Sequence, residues 1–453
     1  MKKYSFFIGI AFCVMLFFSC ATLDTFTSKI PSATAASKGY PTPESYDEAY
    51  SYRTDIPYKN MQTLLKDKKL DSLRANNAQG YVKQVCETIS ASAENDFEKV
   101  KMAHDFLCML ISYDAKNFWA GTVPDQEYPS VLKTKTAVCE GYANTFKKFC
   151  DTLNIPCQKI TGYARGVGTS LLGEAKPTES NHAWNIVKIN DAWYLVDCTW
   201  DSGHMEGKSS KQDYNTDWLF LKPEHFIYTH FPDSKKNQLL ESPLSEAEFS
   251  QLPDLRPKFF TATESAESFA KLNKVENAYS FSYVANTDYE LSFQLIDTAT
   301  NAQVKNCDFV KSDDDKKQAL FSFPKAGVYS IRIFYRKTGA KMALSCGEFL
   351  VEASSASSVR YPTTFSSSAK NLKIISPIEM PLEKGKSYTF SVHVDNKKFV
   401  TVICGKEFIQ LENNGNGTFS GEISIAQNLK QVTLSVSDSP KGNFESIAIY
   451  TVK

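Results

Sequence analysis

The period of the apolar residues changes once in the first half of this chain, and that change limits the folds open to it. Up to Asn154-Ile155-Pro156 apolar residues recur every three or four positions, and beyond it they alternate. Tyr81 to Ser90 and Phe97 to Ile111 carry the helical spacing (Val100, His104, Leu107, Cys108, Ile111), with Asn95 or Asp96 as N-cap of the second stretch. Asn117 to Pro129 reads as a loop, and Ala143 to Leu153 as a further amphipathic helix. Cys157 to Tyr163, Ala183 to Ile189 and Trp193 to Asp197 then alternate as strands of an antiparallel sheet, and Asn190-Asp191 marks a tight hairpin. Helices leading into such a sheet make an α+β unit.

With 453 residues the chain exceeds one ordinary domain, and a typical domain size of roughly 150 suggests about three. A proline-punctuated stretch, Ser242 to Pro257, closes the α+β unit. Two strand-rich segments follow, each with the regular short strands and turn signals of a β-sandwich. The first has Tyr279 to Val284, Glu290 to Asp297, Ala319 to Phe323, Tyr329 to Tyr335 and Glu348 to Glu352. The second has Lys373 to Ile375, Ser387 to Val394, Phe399 to Cys404, Gly417 to Ile425, Gln431 to Ser437 and Glu445 to Val452. The Ser-rich run Ser354 to Ser358 separates them, and Asp313 to Asp315 reads as a solvated turn. The expected division is a helical lead-in and core over 56–245, then sandwiches over 256–353 and 359–453.

The beginning of the chain reads as a targeting segment over 1–19. Lys2 and Lys3 precede an apolar run from Phe6 to Phe18, shorter than the roughly 20 residues a spanning helix needs. The ending Leu16-Phe17-Phe18-Ser19-Cys20 resembles a bacterial lipobox, which makes Cys20 a lipidated residue and the cell envelope the expected location. From there to about residue 55 the composition is rich in Ser, Thr, Ala and Pro and reads as a flexible tether. The formal net charge is zero, which gives no electrostatic reason to expect nucleic acid as a partner. Apart from Cys13, Cys20 and Cys139, the cysteines sit in apolar company at spacings that build neither a disulfide framework nor a metal cluster.

Three segments carry chemistry together. In Thr136-Ala137-Val138-Cys139-Glu140-Gly141-Tyr142-Ala143, Cys139 stands where an irregular approach meets the start of a helix, whose free amides and dipole favour thiolate. Ser180-Asn181-His182-Ala183-Trp184-Asn185 places His182 at the start of a strand. Ala192-Trp193-Tyr194-Leu195-Val196-Asp197-Cys198-Thr199-Trp200-Asp201 places Asp197 across the hairpin from it. A Cys attacks as thiolate, a neighbouring His stabilises that thiolate and later protonates the leaving amine, and an Asp on the far ring nitrogen fixes the tautomer. That chemistry requires no metal and no cofactor.

These segments resemble the transglutaminase-like core superfamily. Asp96-Phe97-Glu98-Lys99-Val100 with Ile111-Ser112-Tyr113-Asp114 looks like the helix preceding that core. Asp217-Trp218-Leu219-Phe220 and Pro223-Glu224-His225-Phe226-Ile227-Tyr228-Thr229-His230-Phe231-Pro232 look like the segment that follows it in relatives of kyphoscoliosis peptidase. The resemblance covers roughly residues 80 to 240. It implies a papain-like α+β core and a Cys-His-Asp triad at Cys139, His182 and Asp197, with the two Ig-like sandwiches outside the motif as recognition or spacer modules.

The oxyanion hole should combine the Cys139 amide with a side-chain donor, for which Trp119 and Tyr128 are the candidates, Trp119 equally being a packing anchor. His204, His225 and His230 read as structural or surface groups, and Trp184, Trp193 and Trp200 as packing around the triad. The expected partner is a protein or peptide substrate, with the sandwiches open to a surface protein or glycan. If water attacks the thioester the chain is a protease or a deamidase, and if a lysine amine attacks it is a crosslinking acyltransferase. The first is the expected outcome. A non-enzymatic adhesin or scaffold that keeps the core as a binding module is the rival class.

Overall fold

The computed structural model describes residues 43–453 apart from 167–168, 174–178 and 366, so the targeting segment and Cys20 lie outside the described residues. The lead-in is built from α1 (Pro43–Ser51), α2 (Lys59–Leu64), α3 (Lys68–Asn76), α4 (Ala78–Ser92) and α5 (Asp96–Leu110). Asn95 caps α5 by accepting from the Glu98 amide, and the acidic Asp96 and Glu98 of the first turn suit the positive end of the helix. The tether expected up to residue 55 is corrected over its last part. Tyr46, Ala49 and Tyr50 form a helical stripe on α1, with Tyr46 and Ala49 buried and Tyr46 edge-on to Tyr194. Polar flanking composition hid that short apolar stripe.

The stretch read as a loop is also corrected, since it opens with α6 (Ala115–Ala120) and runs into α7 (Tyr128–Thr134). Asp114 caps α6 through the Asn117 amide, and Gly121 ends it at φ 65°. Two short parallel strands, β1 (Ser112–Tyr113) and β2 (Thr136–Ala137), tie this stretch to the approach of α8 (Cys139–Thr152).

A five-stranded sheet follows, in the order β8-β5-β4-β3-β9. Its strands are β3 (Cys157–Ala164), β4 (His182–Ile189), β5 (Ala192–Val196), β8 (Leu219–Leu221) and β9 (His230–Pro232). Asn190 and Asp191 both have positive φ, 49° and 67°, which matches the two-residue turn of the β4–β5 hairpin. Between β5 and β8 lie a one-turn helix, α9 (Cys198–Asp201), and a hairpin, β6 (Gly203–Glu206) with β7 (Ser209–Gln212). The short helix α10 (Pro223–Phe226) precedes β9. One sheet face packs Val187, Tyr194 and Val196 against the helices, and the other packs Ile160, Trp184, Ile186 and Leu195 against Trp218, Leu221 and Phe226. At Gly162 a Cβ would stand 2.3 Å from the Phe231 carbonyl oxygen, so only glycine lets β9 dock there.

Two β-sandwiches complete the chain. In the first, strands 254–255, 344–353, 327–337, 289–297 and 302–304 form one sheet and 263–266, 278–285, 316–322 and 308–313 the other. The proline-punctuated stretch therefore does more than separate domains, because Asp254–Leu255 pairs with Gly347 and Glu348 of the sandwich. Buried Arg165 fixes this junction from the core, donating to the carbonyls of Tyr228, Phe249 and Pro253. The second sandwich pairs 363–364, 445–451, 431–437, 399–404 and 407–410 in one sheet and 373–376, 387–393, 418–424 and 412–413 in the other. Asp314, in the expected turn, forms an ion pair with Lys373 of the next sandwich. No helix of the described residues is long and apolar enough to cross a membrane.

Candidate active site

Cys139 opens α8, with extended Val138 as its N-cap residue. The approach is held from outside the helix, because the Gln126 side-chain oxygen accepts from the Val138 amide at 2.9 Å. Gly141 lies beneath that contact. A Cβ there would come within 2.5 Å of Gln126 Oε1 and 2.8 Å of Ala137 and Val131 side-chain atoms, so the small residue serves the approach loop as well as helix packing. Asn185 of β4 donates to the Ala143 carbonyl at 3.1 Å and pins the helix to the sheet.

The hairpin register, Asn185 opposite Val196, brings the start of β4 and the end of β5 to one end of the sheet. There His182 Nε2 lies 2.7 Å from Asp197 Oδ2, which leaves the other ring nitrogen for Cys139. Asp197 is buried and saturated. Its Oδ1 accepts from the amides of Thr199 at 2.8 Å and Trp200 at 3.3 Å, capping α9, while Oδ2 faces two imidazoles. Burial would raise this carboxyl, but the charge and bond of His182 and the bond of His230 hold it well below the usual carboxylate range. Burial opposes the charged form of His182 too, yet Asp197 and then the Cys139 thiol raise it to about 10. Burial pushes the Cys139 thiol up, and the bond and charge of His182 with the Ala183 amide outweigh this, leaving it below an ordinary thiol. Both shifts describe one state, a thiolate beside an imidazolium.

The second imidazole on Asp197 is His230, a correction to its reading as a structural or surface group outside the site. It is fully buried, its Nε2 lies 3.2 Å from Asp197 Oδ2, and its Nδ1 lies 2.9 Å from Thr229 Oγ1. Burial lowers it to about 4, so at neutral pH it is an uncharged ring whose Nε2–H donates a hydrogen bond to Asp197. Phe226, Trp200, Trp218 and Trp184 surround it, with ring centroids at 4.1 to 5.1 Å. Trp200 and Trp184 also flank His182. His225 stacks on Phe260 at 3.9 Å, away from this group, and His204 lies on the β6–β7 hairpin.

A cavity of about 480 Å³ opens beside His182, lined among others by Tyr113, Phe118, Asn181, Trp200, His204 and Arg256. Neither oxyanion candidate lines it. Trp119 is 43% exposed, with its ring edge-on to Phe118, and Tyr128 starts α7 under the Lys148 ammonium. Tyr113 does line it. Burial raises its phenol, and the nearby Cys139 charge adds to that; its hydroxyl has no hydrogen-bond partner among the described residues. The motif Ile111-Ser112-Tyr113-Asp114 held this residue in view, but only the β1–β2 pairing brings it to Cys139.

Among the described residues, two clusters have metal-ligating types within 4.8 Å, His182-Asp197-His230 and His104-Cys108-Cys198. In the first, both Nε2 atoms face Asp197, and in the second both His104 nitrogens face carboxylates, so an ion would have to displace existing bonds.

Residues 83–198 match the transglutaminase-like superfamily. Kyphoscoliosis peptidase of Mus musculus is 30% identical over 223 residues, covering 47% of this chain and 33% of that protein. The Homo sapiens protein of the same name is 31% identical over 210 residues, covering 45% and 31%. Hillarin of Drosophila melanogaster is 29% identical over 133 residues, covering 27% and 16%. The chain thus spans about a third of the length of the two peptidases it matches. The chain carries a transglutaminase-like core, followed by two Ig-like β-sandwiches.

Proposed function

We propose that this chain is a cysteine acyl-transfer enzyme that hydrolyses peptide amides, with Cys139 as nucleophile, His182 as acid and base, and Asp197 as the group that orients it. The observation that carries this reading is the continuous row of thiol, imidazole and saturated carboxylate, with both shifts favouring the ion pair. Cys139 Sγ attacks the carbonyl carbon, and the imidazolium gives its proton to the leaving amine. Water then adds to the thioester with neutral His182 taking its proton, and the carboxylic acid leaves. The oxyanion falls to the Cys139 amide at the open end of α8 and to the Tyr113 hydroxyl.

The outcome at the thioester favours water. The cavity admits it, since its lining includes the polar Ser202, His204, Gln212, Asp213 and Asn215. The mouse and human relatives are named peptidases, which points the same way. The test is release of new termini from unfolded protein by the full chain. Formation of isopeptide crosslinks without new termini would overturn the hydrolytic reading.

Two measurements refine it. The profile of kcat/KM against pH is expected to be a bell. Activity needs thiolate, so the acid limb falls where Cys139 gains its proton, below the ordinary thiol range. It also needs imidazolium to protonate the leaving group, so the alkaline limb falls as His182 deprotonates near 10. In Tyr113→Phe, kcat should fall by about 10² to 10³, the usual effect of losing one oxyanion donor, with KM and iodoacetamide reactivity little changed. An unchanged kcat would exclude the hydroxyl as a donor.

A further inference from the structure

Four charged side chains lie buried behind the site, and none of them lines the cavity. Lys101, His104 and Asp105 come from α5, and Asp201 ends α9. All four are at most 1% exposed. Lys101 Nζ lies 2.6 and 2.7 Å from the two Asp105 oxygens, and Asp105 also accepts from the Tyr58 amide at 2.9 Å and the Tyr214 hydroxyl at 2.6 Å. His104 bridges the two carboxylates, with Nε2 3.0 Å from Asp201 Oδ2 and Nδ1 3.4 Å from Asp105 Oδ1. Burial opposes its charge, but the bonds to Asp105 and Asp201 raise it to about 10, so the ring is an imidazolium. Asp201, raised to about 6 by burial, is ionised at neutral pH, and two positive charges then match two negative ones.

The Asp201 end of this cluster reaches the backbone of Asp197. The Trp218 amide donates to both Asp201 oxygens, at 3.0 and 3.1 Å, and the Trp218 carbonyl accepts from the Asp197 amide at 3.4 Å. The Asp201 amide closes the turn on the Asp197 carbonyl at 3.2 Å. One turn along α5 from His104, the Cys108 thiol donates to the Cys198 carbonyl at 3.3 Å. The helix of the lead-in thereby grips both the residue after Asp197 and the end of its one-turn helix. Charges this deep are costly to desolvate, and an apolar contact would bury the same helix more cheaply; a fixed direction is what an ion pair adds.

We propose that His104 and Asp201 form a second, buried histidine–carboxylate pair that positions Asp197 and through it the Cys139–His182 ion pair. This rests on the reading of Cys139 as the nucleophile. His104 and Asp201 are positioning residues, since neither touches the thiol or the cavity. The pair makes the lead-in helix part of the machinery, not merely a cover for the sheet.

The test is the pH dependence of Cys139 alkylation by iodoacetamide, located by mass spectrometry, with a thermal melt of each protein. The full chain is compared with Asp201→Ala, His104→Gln and Val82→Ala, all well below their melting points. Val82 is fully buried on α4 and outside the network, so its variant should melt lower with an unmoved midpoint. Asp201→Ala should raise the alkylation midpoint by about one pH unit, which is a tenfold loss of rate on the acid side. His104→Gln keeps one N–H donor for Asp201 and should fall between. If both network variants melt lower but share the wild-type midpoint, the pair is structural only and the proposal is overturned. Should Asp201→Ala not fold, His104→Gln decides by the same criterion. A wild-type thiol that titrates like an ordinary one fails the reading of Cys139 itself, whatever the variants do, and leaves no ion pair to position.

Discussion

In His182→Ala, alkylation of Cys139 at pH 6 is expected to fall more than tenfold and peptide release by about 10⁴. The two figures differ because the imidazole acts twice. An ordinary thiol is ionised in only about 0.3% of molecules at pH 6, so losing the imidazolium empties the thiolate. The more basic thiolate that remains is intrinsically the better nucleophile, which returns part of the alkylation rate. Turnover recovers nothing, because alkylation needs no general acid and amide expulsion does. Labelling at pH 6 that ignored the substitution would mean a Cys139 activated by its helix end alone. Labelling that starts only above pH 8 in the wild type would mean an inert thiol, and the scaffold reading would take over.

Asp197→Asn should leave the fold standing and lower kcat by roughly 10³ to 10⁴. The amide oxygen can still cap α9 through Thr199 and Trp200, so the backbone around Trp218 has reason to stay. Its NH₂ group, however, must face two ring nitrogens that now meet a carboxylate. His182 would then accept at Nε2 and carry its proton on the side of Cys139, the wrong tautomer for a base, and its imidazolium would lose its counter-charge. Asp197→Ala differs by leaving the two amides and both Nε2 atoms without a partner, a cost of about 3–5 kcal/mol. A melting curve together with kcat separates the two variants. Equal melting points for Asn and Ala would show that the cap bonds contribute little.

Legibility followed the range of the interactions. The helices over 78–92 and 96–110 and the hairpin at Asn190-Asp191 rest on spacing and turn chemistry within a few residues of each other, and the sequence displays both. The same holds for the strands of the second sandwich, whose alternation survives one exposed face. Helix α1 was hidden because three apolar residues in a Ser- and Pro-rich stretch make too short a pattern. Helices α6 and α7 were hidden by the prolines and polar residues between them.

The site divides in the same way. Cys139, His182 and Asp197 are visible because each stands in a segment with its own pattern, and a hairpin joins the last two. His230 and Tyr113 are not, since each arrives through pairing with a distant strand: β9 against β3 brings the one, β1 against β2 the other. Trp119, an aromatic in the right loop, points outward beside Phe118. The sequence by itself determined the α+β order, the sandwiches and the three chemical groups of the row, because local periodicity and short-range turns decide those. Only the tertiary structure decided which histidine shares Asp197, which tyrosine lines the cleft, and that His104 of the lead-in bonds Asp201. Those choices depend on which strands and helices become neighbours, and no window of sequence contains both partners.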